Sequence, residues 1–237
     1  QPGIDAVGPY CPSAVAGFAD LDDYYSDSQF VALTWYVFSP AYAIPGGEAR
    51  FYGYGFSGTP SAKFDGTVSH VGGQASGSMF PVYDPIVASR LAVDSPLTIS
   101  ASYTATSAEV TVITTIEVAQ TIGAGSRQVL MVVAEDDAHG QVNLARQMLS
   151  PEPFTLTTAG QTVTVVRSCP RDAAWILDNL RPVVLVENAA GGVLQAAYAI
   201  PYYAGTVVVD ITPELLDAPW RLQGPQGFDL SGTGGAT

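Results

Sequence analysis

The chain has 237 residues, of which 47% are apolar and only 13% are charged, with 22 acidic against 9 basic side chains and a formal net charge of −13. The apolar content is sufficient for hydrophobic cores, which argues against a disordered protein. Nucleic acids and anionic membrane surfaces both require clustered basic side chains, and Lys63 is the single lysine, so the composition argues against both as ligands.

The first part of the sequence alternates between helical and strand patterns. Residues 11–25 carry apolar side chains at helical spacing, and Pro12 suits the first turn of a helix. Residues 30–38, FVALTWYVF, form a continuous apolar run that predicts a buried strand. EARFYGYGF predicts a short helix, and SAKFD and TVSHV around an Asp-Gly turn predict a β-hairpin. Residues 83–93 predict a further helix.

From residue 95 onward the pattern changes to strands. Residues 97–119 alternate with period two, and strand-length runs continue as far as GTVVVDI at residues 205–211. Such a succession of strands predicts a β-sandwich, with one short helix expected at residues 172–179. No apolar run reaches the length of a membrane-spanning helix, so we expect no membrane-spanning segment.

Several segments together resemble a known family. They are, in chain order, CPSAVAGFADLDDYY, GGEARFYGYGFSGTPSAKFDG, YDPIVASRLAVDSPLTI, RQVLMVVAEDD, NLARQML and RPVVLVENAAGGVLQAAYA. In this order the chain resembles the Omp28-related outer-membrane protein family from residue 7 to about residue 200. The resemblance implies an α/β plus all-β protein. Its first domain would be thioredoxin-like with a reduced first strand, and its second an immunoglobulin-like β-sandwich.

We therefore expect three regions. They are a degenerate thioredoxin-like domain at residues 1–94, an immunoglobulin-like β-sandwich at residues 95–212 and a C-terminal tail at residues 213–237. The tail is Gly-rich and polar, which favours disorder, but its spaced apolar side chains suggest that part of it docks on a protein surface. The candidate interface residues in and before the tail are Trp220, Phe228, Leu230, Tyr202 and Tyr203.

The resemblance also implies roles for particular residues. Thr59-Pro60 matches the cis-proline position beside the redox pair of thioredoxins, and Cys11 matches the second, resolving cysteine. Gly8 stands where the attacking cysteine would be. Disulfide exchange requires a reactive thiolate and a partner thiol, so the sequence predicts a redox-inactive domain with no catalytic residues.

Cys11 and Cys169 are the two cysteines of the chain. In an oxidising compartment they could form one structural disulfide, but two separate thiols or bonds to other chains remain open. A thiol–disulfide protein that uses Cys11 with Cys169 is therefore the enzymatic alternative.

The predicted thioredoxin-like sheet lacks most of its first strand. Only QPGIDAV precedes the first helix, and it contains Pro2 and Gly3, which are poor residues for the interior of a sheet. The sheet could be smaller, a longer precursor could have been trimmed, or another chain could supply the strand. An open sheet edge with free backbone groups favours pairing with a further chain.

Two acidic clusters are candidates for cation binding. They comprise Asp20, Asp22 and Asp23 near the end of the first predicted helix, and Glu135, Asp136 and Asp137 in a predicted turn. Carboxylate oxygens suit Ca²⁺, but the spacing of a calcium-binding loop is absent. We therefore expect solvated acidic surfaces and no cofactor, and retain a cation-binding accessory protein as a further alternative.

The sequence thus favours a non-enzymatic protein whose work is binding or assembly. Its low charge and its content of Thr, Ser, Gly, Ala and Val are typical of exported proteins, and the resemblance implies the bacterial envelope. We expect a secreted or cell-surface structural protein that interacts with a protein partner or with copies of itself. Strand or tail exchange between copies would complete the open sheet.

Overall fold

The computed structural model describes residues 8–39, 41–202, 219–223 and 229–233, the last two ranges as backbone strands. The chain divides into two units, Gln1–Pro201 and Tyr202–Thr237. The predicted boundary between residues 94 and 95 falls inside the first unit, where a helical segment passes into a long strand.

The first unit begins with a helical layer that contains one β-hairpin. Its elements are α1 (Cys11–Tyr24), α2 (Gly47–Gly53), β1 (Ser61–Phe64), β2 (Val68–Val71) and α3 (Phe80–Leu91). Pro12 lies in the first turn of α1, where its missing N–H costs no helical hydrogen bond. Helices α1 and α3 pack with the hairpin around buried side chains that include Leu21, Phe64 and Tyr83.

The hairpin turn explains its Asp-Gly sequence. Asp65 and Gly66 have φ angles of 47° and 63°, in the left-handed region that Gly and Asp adopt most readily. Phe64 pairs with Val68, so the loop consists of Asp65, Gly66 and Thr67. A Cβ on Gly66 would lie 1.7 Å from the carbonyl oxygen of Gly191, so the turn packs too closely for any side chain. The Asp65 carbonyl accepts a hydrogen bond of 2.8 Å from the Val193 N–H, which ties the hairpin to the strands that follow.

The rest of the first unit consists of two sheets. The strands are β3 (Leu97–Ala105), β4 (Glu109–Val118), β5 (Arg127–Glu135), β6 (Leu144–Met148), β7 (Glu152–Pro153), β8 (Thr162–Pro170), β9 (Val183–Asn188), β10 (Val193–Tyr198) and β11 (Ile200–Pro201). Sheet 1 has the order β10-β9-β5-β6, with β7 paired to β5, and sheet 2 has the order β11-β3-β4-β8.

The two sheets share one hydrophobic core. Along β4 the side chains of Val110, Val112 and Ile116 are buried, while those of Glu109 and Thr115 on the other face are exposed. This alternation is what a strand with one buried face produces. The core joins these residues to inward-facing side chains of sheet 1, which makes the pair of sheets a sandwich.

Sheet 1 is buried on both faces, which explains the continuous apolar runs of β5 and β9. Val129 and Met131 face the core between the sheets, whereas Leu130 and Val132 belong to a separate cluster on the outer face. The segment of residues 30–38 covers that outer face, where it places three side chains, Val31, Leu33 and Trp35.

This packing corrects the prediction of a strand at residues 30–38. The segment belongs to no strand of a sheet and makes a single parallel bridge, between Thr34 and Leu144 at the edge of sheet 1. Its apolar side chains are required to cover a sheet face, and a run of buried side chains does not distinguish this from membership of a sheet. The predicted helix at residues 172–179 is likewise reduced to one 3-10 turn, Leu177–Asn179.

The second unit contains a hairpin where the sequence favoured disorder. Strand β12 (Pro219–Gln223) pairs antiparallel with β13 (Asp229–Thr233), with Leu222 opposite Leu230. Strand pairing of this kind follows from the alternating side chains on either side of a Gly-rich connection.

The contact between α1 and α3 yields a stability prediction. A Cβ on Gly17 would lie 2.8 Å from the Met79 Cβ, so Gly17→Ala forces the two helices apart. We expect a loss of about 1–3 kcal/mol in the free energy of unfolding, measured by urea denaturation. Gly53→Ala in α2 is the matched control, because a Cβ there meets no atom within 4 Å. Equal effects at both positions would contradict the packing described here.

Candidate functional site

A groove of about 680 Å³ lies between the helical layer and the outer face of sheet 1. We call it the interlayer groove. One wall is the segment of residues 28–39 and the other is formed by residues 59–67, with side chains of all three helices and of β9 and β10 completing the lining. Gln29, Phe38 and Leu91 on its margins are exposed, so the groove opens to solvent.

The first wall is held to the sandwich by its backbone. The Ala32 N–H donates to the Tyr198 hydroxyl at 2.7 Å, and the Thr34 N–H donates to the Asn143 carbonyl at 3.0 Å. The Thr34 carbonyl in turn accepts from the Ala145 N–H at 2.9 Å. Ala32 and Thr34 therefore direct their backbone groups toward the sandwich.

The residues between them are oriented differently. In an extended chain, successive residues point their N–H and C=O groups to opposite sides, so those of Val31, Leu33 and Trp35 point away from the sandwich, toward the groove. Within the described residues, no hydrogen bond involves the backbone of any of these three. At about 3.3 Å per residue this wall offers roughly 16 Å of unpaired backbone.

The second wall has a matching free edge. The Pro60 carbonyl accepts from the Gly72 N–H at 2.8 Å, and the β1–β2 register pairs Ala62 with His70 and Phe64 with Val68. Because hydrogen-bonded and non-bonded pairs alternate along an antiparallel ladder, Ala62 and Phe64 use their backbone groups within the hairpin. Those of Ser61 and Lys63 point to the other side, which is the side of the groove.

The lining between the two walls is largely apolar and aromatic. The stripe Cys11, Val15 and Phe18 faces the groove from α1, and Phe51 of α2 lines it together with Tyr54, the residue that follows this helix. The spacings of three, four and seven residues in the stripe place it on one face of α1.

The Tyr83 hydroxyl is an unpaired polar group in this lining. Its side chain is fully buried and its hydroxyl has no hydrogen-bond partner among the described residues. Burial, with a smaller contribution from Cys11, raises the pKa of Tyr83 to about 12. Leaving a buried hydroxyl without a partner costs about 1–3 kcal/mol, which a bound chain could recover.

Two of the three basic side chains along the groove are already paired. Arg50 contacts both carboxylate oxygens of Glu187, at 3.1 and 2.5 Å, and Glu187 is itself buried. Arg90 forms an ion pair with Asp65 at 2.8 Å. Lys63 donates only to a neutral acceptor, the Ser69 hydroxyl, and therefore lacks a carboxylate partner among the described residues.

A cluster around Tyr198 holds the first wall in place. The Arg181 guanidinium lies 3.8 Å from the centre of the Tyr198 ring and donates to Asp22 of α1 at 3.0 Å. The Tyr198 hydroxyl also accepts from the Asn143 side chain at 2.8 Å. Burial raises the pKa of the Asp22 carboxyl, and the neighbouring Arg181 only partly opposes this. The cluster thus joins α1, the first wall and sheet 1.

The structure brings together the residues that the resemblance singled out. The Thr59–Pro60 peptide bond is cis and lines the groove together with Cys11. The Cys11 N–H donates to the Gly8 carbonyl at 3.0 Å, so Gly8 stands at the turn that starts α1.

The predicted disulfide is not supported. Cys11 opens α1 in the helical layer, whereas Cys169 lies on β8 in sheet 2 and faces the core of the sandwich, so sheet 1 separates the two. Both are free thiols, and burial raises the pKa of the Cys169 thiol. The sequence could not show this, because the inward position of Cys169 depends on the strand register.

The acidic candidates have separate partners. Asp20 accepts from Ser78, Asp22 from Arg181, and Glu135 from Arg146 at 2.6 Å and from the Ile176 N–H at 2.8 Å. In the part of the chain that the structure describes, no three His, Cys, Asp or Glu side chains are grouped so that they could hold a metal ion. The remaining candidates, Asp23, Asp136 and Asp137, are among these described residues and belong to no such group.

Three of the five predicted interface residues fall within the described ranges. Tyr202 is the last residue of the described range 41–202, and its side chain is 60% exposed. Trp220 and Leu230 lie on β12 and β13, whereas Tyr203 and Phe228 are outside the described residues. Sequence reasoning named Tyr198 only as a candidate interface residue, whereas its side chain is buried. It missed Arg181 and the free backbone of both walls, because only the three-dimensional pairing shows which backbone groups remain unused.

Comparisons with known proteins give a likeness of fold. No family model matches the sequence, and no curated protein matches it. HBP35 of Porphyromonas gingivalis is similar over 81% of this chain and 69% of its own, at 14% identity and a TM-score of 0.51. A domain of the outer membrane lipoprotein Omp28 from the same organism matches 47% of this chain and 93% of its own, at 13% identity and a TM-score of 0.37. The HBP35 likeness shows a shared fold. Among the described residues, no helix is long and apolar enough to cross a membrane.

The positions of the two thiols generate a chemical prediction. Cys11 is partly exposed and Cys169 is buried, so a thiol reagent should modify one cysteine in the native protein and two after denaturation. Cys11→Ser should remove the native reaction, whereas Cys169→Ser should leave it intact. Dithionitrobenzoate titration measures both. A native protein with no reactive thiol, which regains two on reduction, would contradict the separation of the cysteines.

Proposed function

We propose that this chain is a non-enzymatic, secreted or cell-surface structural protein of the bacterial envelope, which assembles with copies of itself by strand exchange. In this proposal the helical layer is a thioredoxin-like domain that lacks one strand, and the sandwich is immunoglobulin-like. The interlayer groove is the place where a strand from another copy would complete the sheet.

One observation carries the proposal: two backbone segments with unused hydrogen-bonding groups face each other across an apolar groove. Val31, Leu33 and Trp35 present these groups from one wall, and Ser61 and Lys63 present them from the other. A strand placed between them can pair with both edges, as in other cases of strand addition to a sheet. An open edge that remains unpaired is prone to pairing with a further chain.

The lining indicates what kind of strand would bind. Phe18, Phe64 and Tyr83 lie on the side of α1 and α3, and Phe51 and Tyr54 lie on the side of α2. A strand in the groove would therefore be covered on both faces and should carry mainly apolar side chains. Each fully buried Val or Ile side chain contributes about 1.5–3 kcal/mol, so a short strand supplies substantial binding free energy.

The arrangement of the thiols supports a protein without redox activity. Thiol–disulfide exchange requires a second thiol within reach of the first. Gly8 occupies the position three residues before Cys11, and Cys169 lies in the other sheet of the sandwich. The proposed location rests on the low content of charged residues and on the resemblance between the quoted sequence segments and an envelope family.

The proposed assembly predicts the effect of a charge placed in the groove. Val15 lines the groove from α1, whereas the neighbouring Ala16 does not. In the free protein a carboxylate at residue 15 keeps access to water, but a docked strand would bury it at a cost of several kcal/mol. We expect Val15→Glu to weaken self-association at least tenfold in sedimentation velocity, with Ala16→Glu as the matched control.

Both variants should unfold at urea concentrations close to that of the wild type. The proposal fails if the wild-type protein remains monomeric across the concentration series, or if the two variants associate equally well.

A further inference from the structure

The two sides of the interlayer groove differ, and the difference specifies the sequence of a bound strand. The face toward α1 and α3 meets Phe18, Phe64 and Tyr83, which are wholly apolar apart from the Tyr83 hydroxyl. The face toward α2 meets aromatic rings and the Lys63 ammonium, which lies 5.5 Å from the centre of the Tyr54 ring. A complementary strand is therefore apolar on one face and carries an acidic side chain among small or apolar residues on the other.

The sequence contains one such segment among the residues outside the described ranges. Residues 206–211 read Thr-Val-Val-Val-Asp-Ile. Alternate positions place Val207, Val209 and Ile211 on one face of an extended chain, and Thr206, Val208 and Asp210 on the other. None of the six residues is Gly or Pro, and five of them are β-branched, which favours a strand. The segment of residues 1–7 contains Pro2 and Gly3 and has no comparable pattern.

We propose that residues 206–211 of a second copy of this chain are the strand that enters the interlayer groove. This inference rests on the proposed function and names the partner segment for it. Val207, Val209 and Ile211 face α1 and α3, and Val208 packs against the side of α2.

Charge complementarity supports this choice of occupant. Arg50 and Arg90 already have carboxylate partners, which leaves Lys63 as the basic side chain of the groove without one among the described residues. Asp210 lies on the face of the strand that meets Lys63, so a bound strand forms an ion pair across the new ladder. The pair matters in a chain with a net charge of −13, because copies of this chain otherwise repel one another.

The strand comes from a second copy because the proposed assembly exchanges strands between copies. In the sequence, residues 206–211 follow both walls of the groove. Exchange between copies is a head-to-tail contact, which extends into a chain of subunits.

The first experiment tests the segment. Val208→Asp should weaken self-association of the full chain at least tenfold in sedimentation velocity, because the variant buries a carboxylate against α2. The control is Val166→Asp, which makes the same change at a residue that is 49% exposed on β8. A synthetic peptide of residues 204–212 should inhibit assembly of the wild type, and it keeps the inference testable if Val208→Asp does not fold.

The outcomes separate this inference from the proposed function. If the wild type assembles, Val15→Glu prevents assembly, and both Val208→Asp and the peptide have no effect, the groove binds another strand and only this inference is overturned. A wild type that stays monomeric at all concentrations overturns both. Both are also overturned if the protein is monomeric and Val208→Asp lowers its stability while Val166→Asp does not. That result would mean that the strand occupies the groove of its own chain.

The second experiment tests the pairing of side chains. Lys63→Glu alone and Asp210→Lys alone each place like charges together and should weaken association several-fold. An equimolar mixture of the two variants restores opposite charges at every contact between unlike copies, so it should associate as the wild type does. A mixture that associates no better than the separate variants overturns the proposed contact between Lys63 and Asp210.

Discussion

The architecture of the first unit depends on the contacts of one side chain, Tyr198. Its hydroxyl accepts hydrogen bonds from the Ala32 backbone and the Asn143 amide, and its ring lies beneath the Arg181 guanidinium. Through Arg181 the same cluster reaches Asp22 on α1. These bonds anchor the segment of residues 30–38 to the edge of the sandwich, and as a result the remaining backbone groups of that segment face the groove.

The two edges of the groove remain open because each wall forms its backbone hydrogen bonds on the side away from the groove, the first wall with the sandwich and β1 with β2. Ala32 and Thr34 use their backbone groups on the sandwich, Ala62 and Phe64 use theirs on β2, and the residues in between are left without partners in the described structure. Proteins usually protect such edges with charge, proline or a covering segment. Here the edge formed by β1 follows Pro60 and carries Lys63, whereas the described lining between the two edges is largely aromatic and apolar. The unused backbone groups along both walls distinguish this groove from a small-molecule pocket, in which a few convergent polar groups fix the ligand.

The sequence predicted the elements whose pattern is local. Helix α1 follows from Pro12 and the apolar spacing, the β1–β2 hairpin from Asp65-Gly66, and the strands β3 and β4 from period-two alternation. The segment of residues 30–38 was predicted as a strand because burial against a sheet face and membership of a sheet leave the same apolar run. The free thiols of Cys11 and Cys169 and the unused backbone of Leu33 could not be predicted, since both depend on which elements become neighbours.

The position of Lys63 has a practical consequence for work on this protein. It is the single lysine of the chain, and its side chain lies on a wall of the interlayer groove. Reagents that acylate side-chain amines therefore have one target, and a fluorophore attached there would sit beside Tyr54 and Phe56. Its emission would report on the state of the groove from within, without the need to introduce a label by mutation.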